Sequence, residues 1–258
     1  MKLNDRVAIV TGGGRGIGRE ITLALSHEGA DVVVCGRQLD VLEQTVTEIE
    51  TQGRRALAIV TDVSNEVQVN ELINKTLATF GRVDILVNNA GIAGPTAAVT
   101  NLSRAAWDEV MAVNLTSAFL CSRAVIPHMS ERSSGKIVNI SSVAGKMAYA
   151  LRSPYAASKW GMIGLSASLA QELGAFNIQV NAICPGPTAG ERMTSVIAGR
   201  AKELGRSADE VERLYLENTA LKRMVDPKHV AAAVVFFCSE AGDSITGEAL
   251  EVSSGYAL

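Results

Sequence analysis

Tyr155 and Lys159 stand four residues apart in the run Ser153-Pro154-Tyr155-Ala156-Ala157-Ser158-Lys159. Proline at the second position suits the first turn of a helix, so both side chains fall on one helix face. A free phenol, with a pKa of about 10, exchanges protons poorly at neutral pH. A neighbouring lysine cation favours the phenolate and makes such a pair useful for general acid–base work. The same spacing also occurs on ordinary solvated helices, so the pair needs a setting. Ser141-Ser142 supplies one, because it closes the run Lys136 to Ile140 shortly before the tyrosine helix starts. A serine hydroxyl at the end of a strand can hold a carbonyl or alkoxide oxygen beside the tyrosine.

A second constellation lies near the N-terminus. Thr11-Gly12-Gly13-Gly14-Arg15-Gly16-Ile17-Gly18 follows directly on the apolar run Arg6 to Val10. Strand, glycine turn and helix together bring a dinucleotide's pyrophosphate onto a helix N-terminus, where close backbone N–H groups and the dipole favour negative charge. Ile17, Ile21, Ala24 and Leu25 mark one face of that helix, which stops at Gly29.

The elements between these sites repeat one arrangement. Short β-branched runs at Val32–Val34, Ala56–Val60, Asp84–Val87, Lys136–Ile140, Ile178–Ile183 and Ala249–Val252 follow the first strand. Helical periodicity separates them: Leu39, Leu42, Val46 and Ile49, then Val69, Leu72, Ile73, Leu77 and Phe80. Nearly continuous apolar strands between amphipathic helices predict an α/β fold. In it a doubly wound parallel sheet of about seven strands has helices on both faces and binds ligands at the carboxyl ends of its strands. No linker, repeat or low-complexity tract interrupts it, so residues 1–258 read as one domain. The segment from Pro185 to Glu217 is charged and weakly periodic, and residues 187–217 are expected to form a lid over the substrate.

Composition narrows the classes. Hydrophobic residues make up 47% of the 258, enough for one well-buried core. With 24 Lys+Arg against 27 Asp+Glu, the net charge of −3 argues against nucleic acid or a membrane surface as partner. The longest fully apolar stretch, Val230 to Cys238, is far short of the roughly 20 residues that span a bilayer. No signal-like segment precedes the first strand. Four scattered cysteines, Cys35, Cys121, Cys184 and Cys238, read as reduced thiols in a cytoplasmic protein. His27, His128 and His229 offer no metal-ligand spacing.

Taken in order, Thr11 to Gly18, Asp62-Val63, Asn88-Asn89-Ala90-Gly91, Asn114, Ser142, Tyr155 with Lys159, and Pro185-Gly186 resemble the short-chain dehydrogenase/reductase family. The resemblance runs from about residue 5 to 253, and the chain is similar to the 3-oxoacyl-ACP reductase-like members. Ser142 precedes Tyr155 by 13 residues, the separation usual in that family. It implies a Rossmann-type fold and an NAD(P)-dependent oxidoreductase acting on CH–OH donors (EC 1.1.1.-). As implied roles, Tyr155 exchanges the proton with the carbonyl or alcohol oxygen, and Ser142 positions that oxygen. Lys159 assists the tyrosine and meets the nicotinamide ribose, while Asn114 holds a water for proton relay. Gly12, Gly14, Arg15 and Ile17 would line the dinucleotide. Asp62 and Val63 would meet adenine, Asn89 would support the adenine ribose, and Thr188 would reach the nicotinamide. Homo-oligomers, tetramers or dimers, are also implied.

The cofactor choice rests on the second strand's end. An NAD-selective site expects a carboxylate there to bind the ribose hydroxyls, and this chain has Val34-Cys35-Gly36-Arg37 instead. Arg37, joined by Arg15, suits the 2′-phosphate of NADP(H), which is therefore favoured over NAD(H). An NAD-dependent secondary-alcohol, sugar or polyol dehydrogenase is the alternative. A catalytically silent dinucleotide-binding scaffold would require a damaged Asn–Ser–Tyr–Lys set, and all four are present.

Two departures from the family pattern stand out. Gly190 occupies the place of a common threonine four residues beyond Gly186, with Thr188 two residues earlier, and Val252-Ser253-Ser254-Gly255 replaces a common Asp-Gly-Gly near a subunit interface. Ile92, Ala93, Val143, Ala144, Met147, Tyr149 and Leu151 are expected to line an apolar pocket, with Trp107 assigned to packing elsewhere. Lys146, Arg152 and Arg192 could hold an anionic group or be solvated surface charges. An oxoacyl thioester, a sugar or polyol, a carboxylated ketone and a bulky aromatic ketone all remain open as the small-molecule carbonyl or alcohol substrate.

Overall fold

The β-branched runs become seven parallel strands in a computed structural model that describes residues 1–257. These are β1 (Val7–Thr11), β2 (Asp31–Gly36), β3 (Ala56–Val60), β4 (Ile85–Asn88), β5 (Gly135–Ile140), β6 (Ile178–Pro185) and β7 (Ala249–Val252). Their order in the sheet is β3-β2-β1-β4-β5-β6-β7. Register aligns Thr11 with Cys35 and Asn88 with Asn139, which brings the carboxyl ends of the central strands to one edge. The order reverses between β1 and β4, and a crevice opens at that point in such sheets.

Alternation along the strands feeds two cores. Ala8, Val10, Val32, Val34, Ile85, Val87, Val138 and Ile140 face α1 (Gly16–His27), α2 (Leu39–Thr51) and the C-terminal apolar helix Pro227–Cys238. Ile9, Val33, Cys35, Leu86, Ile137 and Val180 face the opposite layer. That layer contains α3 (Glu66–Phe80), α5 (Ser117–Glu131) and α6 (Ser153–Leu173). With both faces covered, the strands carry no polar face and read as unbroken apolar runs.

Before α5 lie α4 (Arg104–Met111) and a π-helical turn, Ala112–Thr116. By length and composition the continuous run Arg104–Glu131 would suffice to cross a bilayer, although charged residues interrupt its apolar stretches. In the fold Leu120, Cys121, Val125 and Met129 of this run are buried on the sheet. Trp107, expected to pack, is instead partly exposed on α4.

The segment after β6 forms α7 (Glu191–Leu204) and α8 (Ala208–Glu217), followed by α9 (Pro227–Cys238). Its buried side chains recur at helical spacing, against the weak periodicity expected of it. Met193, Ile197 and Ala201 of α7 and Val211 and Tyr215 of α8 form a small core of their own, with Met224 and Tyr256 packed on it.

Candidate active site

The glycine turn is built for close approach. Gly12 adopts φ +63°, open to glycine at little cost. A Cβ on Gly18 would collide with the Gly12 carbonyl oxygen and the Asn89 amide, so α1 packs flush against the turn. Gly14 lies against Val41 and Leu42 of α2. Ile17 is half-buried on the core, whereas Arg15, the residue before α1, is exposed. Just after β4 the Asn89 amide donates to the Thr11 and Gly12 carbonyls at 2.9 and 3.2 Å. The Thr11 hydroxyl in turn accepts from the Asn89 and Ala90 N–H groups, both at 3.0 Å. The Asn89 amide is thus engaged in fixing the turn.

Further along the same edge, Arg37 is exposed after β2. Its charge contributes to holding Asp62 below the ordinary carboxylate range, an effect led by hydrogen bonds from the Ser64 hydroxyl and N–H and opposed by desolvation. Val63 is buried with the core. Thr188 turns its hydroxyl back to the Gly186 carbonyl at 2.9 Å. A glycine cradle without side-chain obstruction, a helix N-terminus and two exposed arginines fit an anionic dinucleotide.

The four acid–base candidates gather at the ends of β5 and α6. Lys159 is buried, and its Nζ donates to the Ile140 carbonyl at 2.7 Å. Burial pushes its ammonium down to about 7, with the Arg192 guanidinium adding to the shift. Its Nζ lies 5.8 Å from the centre of the Tyr155 ring, one helical turn back. Tyr155 itself is half-buried. Ser142 is buried, and its Oγ accepts from the Ala144 N–H at 3.1 Å, which leaves the hydroxyl proton free to donate. Asn114 sits in the π-helical turn with its amide fully engaged: it donates to Ile92 O at 3.0 Å and Ser158 Oγ at 3.1 Å, and accepts from Ile92 N at 2.7 Å. A Cβ on Gly91 would come within 3.1 Å of Asn114 Oδ1 and 3.8 Å of Lys159 Nζ, so both side chains flank that loop.

The three basic candidates separate. Lys146 pairs with Glu251 at 3.1 Å and is neutralised. Arg192 is exposed on α7 and donates to the Gly91 carbonyl at 2.7 Å. Arg152, readable as a surface charge, is only 3% exposed and lies between two tyrosines, 5.3 Å from the Tyr155 ring centre and 5.7 Å from that of Tyr149. Sequence reasoning also missed the link between the Tyr149 and Tyr215 hydroxyls at 2.8 Å, which ties the loop before α6 to α8. Burial pushes the Tyr149 phenol upward, with Tyr215 adding to the shift, so Tyr149 stays protonated. The Ser253-Ser254 departure folds inward: Gly186 N donates to Val252 O at 3.0 Å, and Leu221 N to Ser254 O at 3.1 Å.

The profile of the short chain dehydrogenase family matches residues 6–201. The chain belongs to that family. It is therefore an oxidoreductase acting on CH–OH or carbonyl groups with a nicotinamide dinucleotide. It is 35% identical to a 3-oxoacyl-[acyl-carrier-protein] reductase of Staphylococcus epidermidis, over 97% of this chain and 98% of the relative. NAD+-bound xylitol dehydrogenase superposes with a TM-score of 0.96 at 28% identity, covering 99% of this chain and 100% of that one. A variant of actinorhodin polyketide ketoreductase with NADPH gives 0.94 at 34%, covering 98% and 97%. These relatives include both reductases and dehydrogenases, and both dinucleotides.

Proposed function

We propose that this short chain dehydrogenase interconverts a ketone or aldehyde and its alcohol with NADP(H), using Tyr155 as the acid–base group. The observation that carries the reading is Ser142. Its hydroxyl, at the end of β5, accepts from Ala144 N and so keeps its proton for a substrate oxygen, while Tyr155 stands half-buried in the first turn of α6. In reduction Tyr155 gives its proton to that oxygen, and in oxidation it takes the proton back. The bound dinucleotide supplies or accepts the hydride. Lys159 stands behind the phenol and favours its anionic form when charged. Asn114 uses its amide on Ile92 and Ser158, so the main chain of its π-helical turn is the part left to hold a water for proton relay. Residues 187–217, which include helices α7 and α8, act as the lid over the substrate.

Preference for NADP(H) is supported by Arg15 and Arg37, both exposed beside the cradle, and by the missing carboxylate at the end of β2. Side-by-side fluorescence titrations with NADPH and NADH test it. NADPH should bind at least about tenfold tighter, a margin of about 1.4 kcal/mol, and Arg37→Ala should erase that margin while leaving NADH binding little changed. Equal affinities for the unaltered protein would support NAD-linked alcohol oxidation instead. Tyr155→Phe should lower kcat by about 100-fold or more with dinucleotide binding intact, and undiminished turnover would remove Tyr155 from its role.

Four free, buried cysteines support a reducing, cytoplasmic setting. Trp107 on α4, Phe119 on α5 and Trp160 on α6 are exposed apolar side chains that suit a homo-oligomer, tetramer or dimer.

A further inference from the structure

We infer that the substrate carries a carboxylate, held by Arg152 while its carbonyl or hydroxyl carbon meets Tyr155. This rests on the proposed acid–base role of Tyr155 and adds the substrate class. The starting point is a charge without a partner. Arg152 is 3% exposed, and its guanidinium donates only to neutral oxygens: Ala93 O at 2.6 Å and, at a long 3.4 Å, Thr96 Oγ1. Its Nε has no hydrogen-bond partner. Among the described residues no carboxylate forms an ion pair with it. The adjacent Ser153 hydroxyl is also buried and unpartnered. Taking a cation out of water is costly unless an anion compensates, and an arginine stays charged at any working pH.

The backbone is arranged to keep it there. Leu151 adopts φ +66°, unfavourable for a branched side chain, and its carbonyl accepts from Ala97 N at 2.9 Å. The strained turn directs the next residue inward, between the rings of Tyr149 and Tyr155. Ala93 and Thr96, which receive the guanidinium, belong to the loop beyond Gly91 that flanks Lys159. Two further cations surround the same place. Arg200 lies 5.7 Å from the Tyr149 ring centre and 6.0 Å from that of Tyr215, and Arg192 reaches Gly91 O. The planar guanidinium matches a carboxylate with two parallel hydrogen bonds. With its centre 5.3 Å from the Tyr155 ring, one small oxo acid or hydroxy acid can engage both.

The test compares acids with neutral twins. 4-Oxopentanoate, 5-oxohexanoate and 4-oxocyclohexanecarboxylate are each assayed beside their methyl esters, with NADPH, on the unaltered enzyme, Arg152→Gln and Arg152→Lys. For at least one pair the unaltered enzyme should show kcat/KM about 100-fold higher for the acid. Arg152→Gln should bring that acid-to-ester ratio close to one, and Arg152→Lys should keep part of it. A ratio near one in the unaltered enzyme, or one that Arg152→Gln leaves unchanged, overturns the carboxylate site and leaves the reductase reading standing. Binding of the same acids to the NADPH complex of Tyr155→Phe, by calorimetry, separates the two readings. Arg152-dependent binding without turnover of any pair by the unaltered enzyme would keep the carboxylate site and remove the reductase reading. Absence of binding by every acid overturns the site.

Discussion

Lys159 illustrates how a single side chain can cost the fold something while serving the site. Its ammonium is buried at the end of β5, one donor satisfied by Ile140 O, and burial depresses it to about 7. Below pH 7 the folded protein bears the whole cost of the buried charge. Between pH 7 and the ordinary lysine value of 10.5 the folded lysine releases a proton that the unfolded chain keeps, so stability rises with pH through that window. The slope is at most about 1.4 kcal/mol per pH unit. Lys159→Met lacks this titration. Its melting temperature relative to the unaltered protein should therefore be highest near pH 6 and fall by pH 9, read in a series of thermal melts. A difference that does not change with pH would mean that the ammonium is solvated in the folded state.

The α7–α8 segment depends on contacts made between elements. Tyr149, before α6, and Tyr215, on α8, share a hydrogen bond of 2.8 Å between their hydroxyls, and Tyr256 stacks on Tyr215 with ring centres 6.2 Å apart. Tyr149→Phe and Tyr215→Phe should each loosen α7 and α8 by about 1 kcal/mol, and the double variant should add little to either. Native-state hydrogen exchange within residues 191–217 reads the effect, and additive changes would show that the two hydroxyls do not act as a pair. Contacts of this kind explain what the chain order conceals. The seven strands were legible because a sheet covered on both faces writes itself as unbroken β-branched runs. Tyr155, Lys159 and Ser142 were legible because they lie at strand and helix ends, where local spacing determines position. Arg152 was not: its burial depends on the turn at Leu151 and on the loop holding Ala93 and Thr96, 59 and 56 residues earlier in the chain. Lys146 was ambiguous for the same reason, since its partner Glu251 arrives with the last strand. Helices α7 and α8 read as weakly periodic because each buries only a narrow stripe, against the other.

At the scale of the whole molecule the sheet has two unlike edges. The carboxyl edge carries the glycine turn, Ser142, Tyr155 and Arg152, with exposed or underpartnered polar groups suited to ligands. The amino edge is closed by Asp84, 1% exposed, whose carboxylate accepts from Arg82 and Arg132 at 2.6 Å, from Val7 N at 2.9 Å, and lies 3.7 Å from Arg6. That carboxylate joins the starts of β1 and β4 to the end of α5, so its work is cohesion. Its three arginines are 30–43% exposed, so solvent screens them, and losing the carboxylate charge costs about 1–3 kcal/mol through the buried hydrogen bonds it weakens. Asp84→Asn should therefore lower the denaturant midpoint by a corresponding amount. The protein that remains folded should bind NADPH and turn over substrate as before, because the sheet lies between the cluster and the site. A large change in dinucleotide affinity at matched folded fraction would show instead that the two edges are coupled, and the division between cohesion and chemistry would fail.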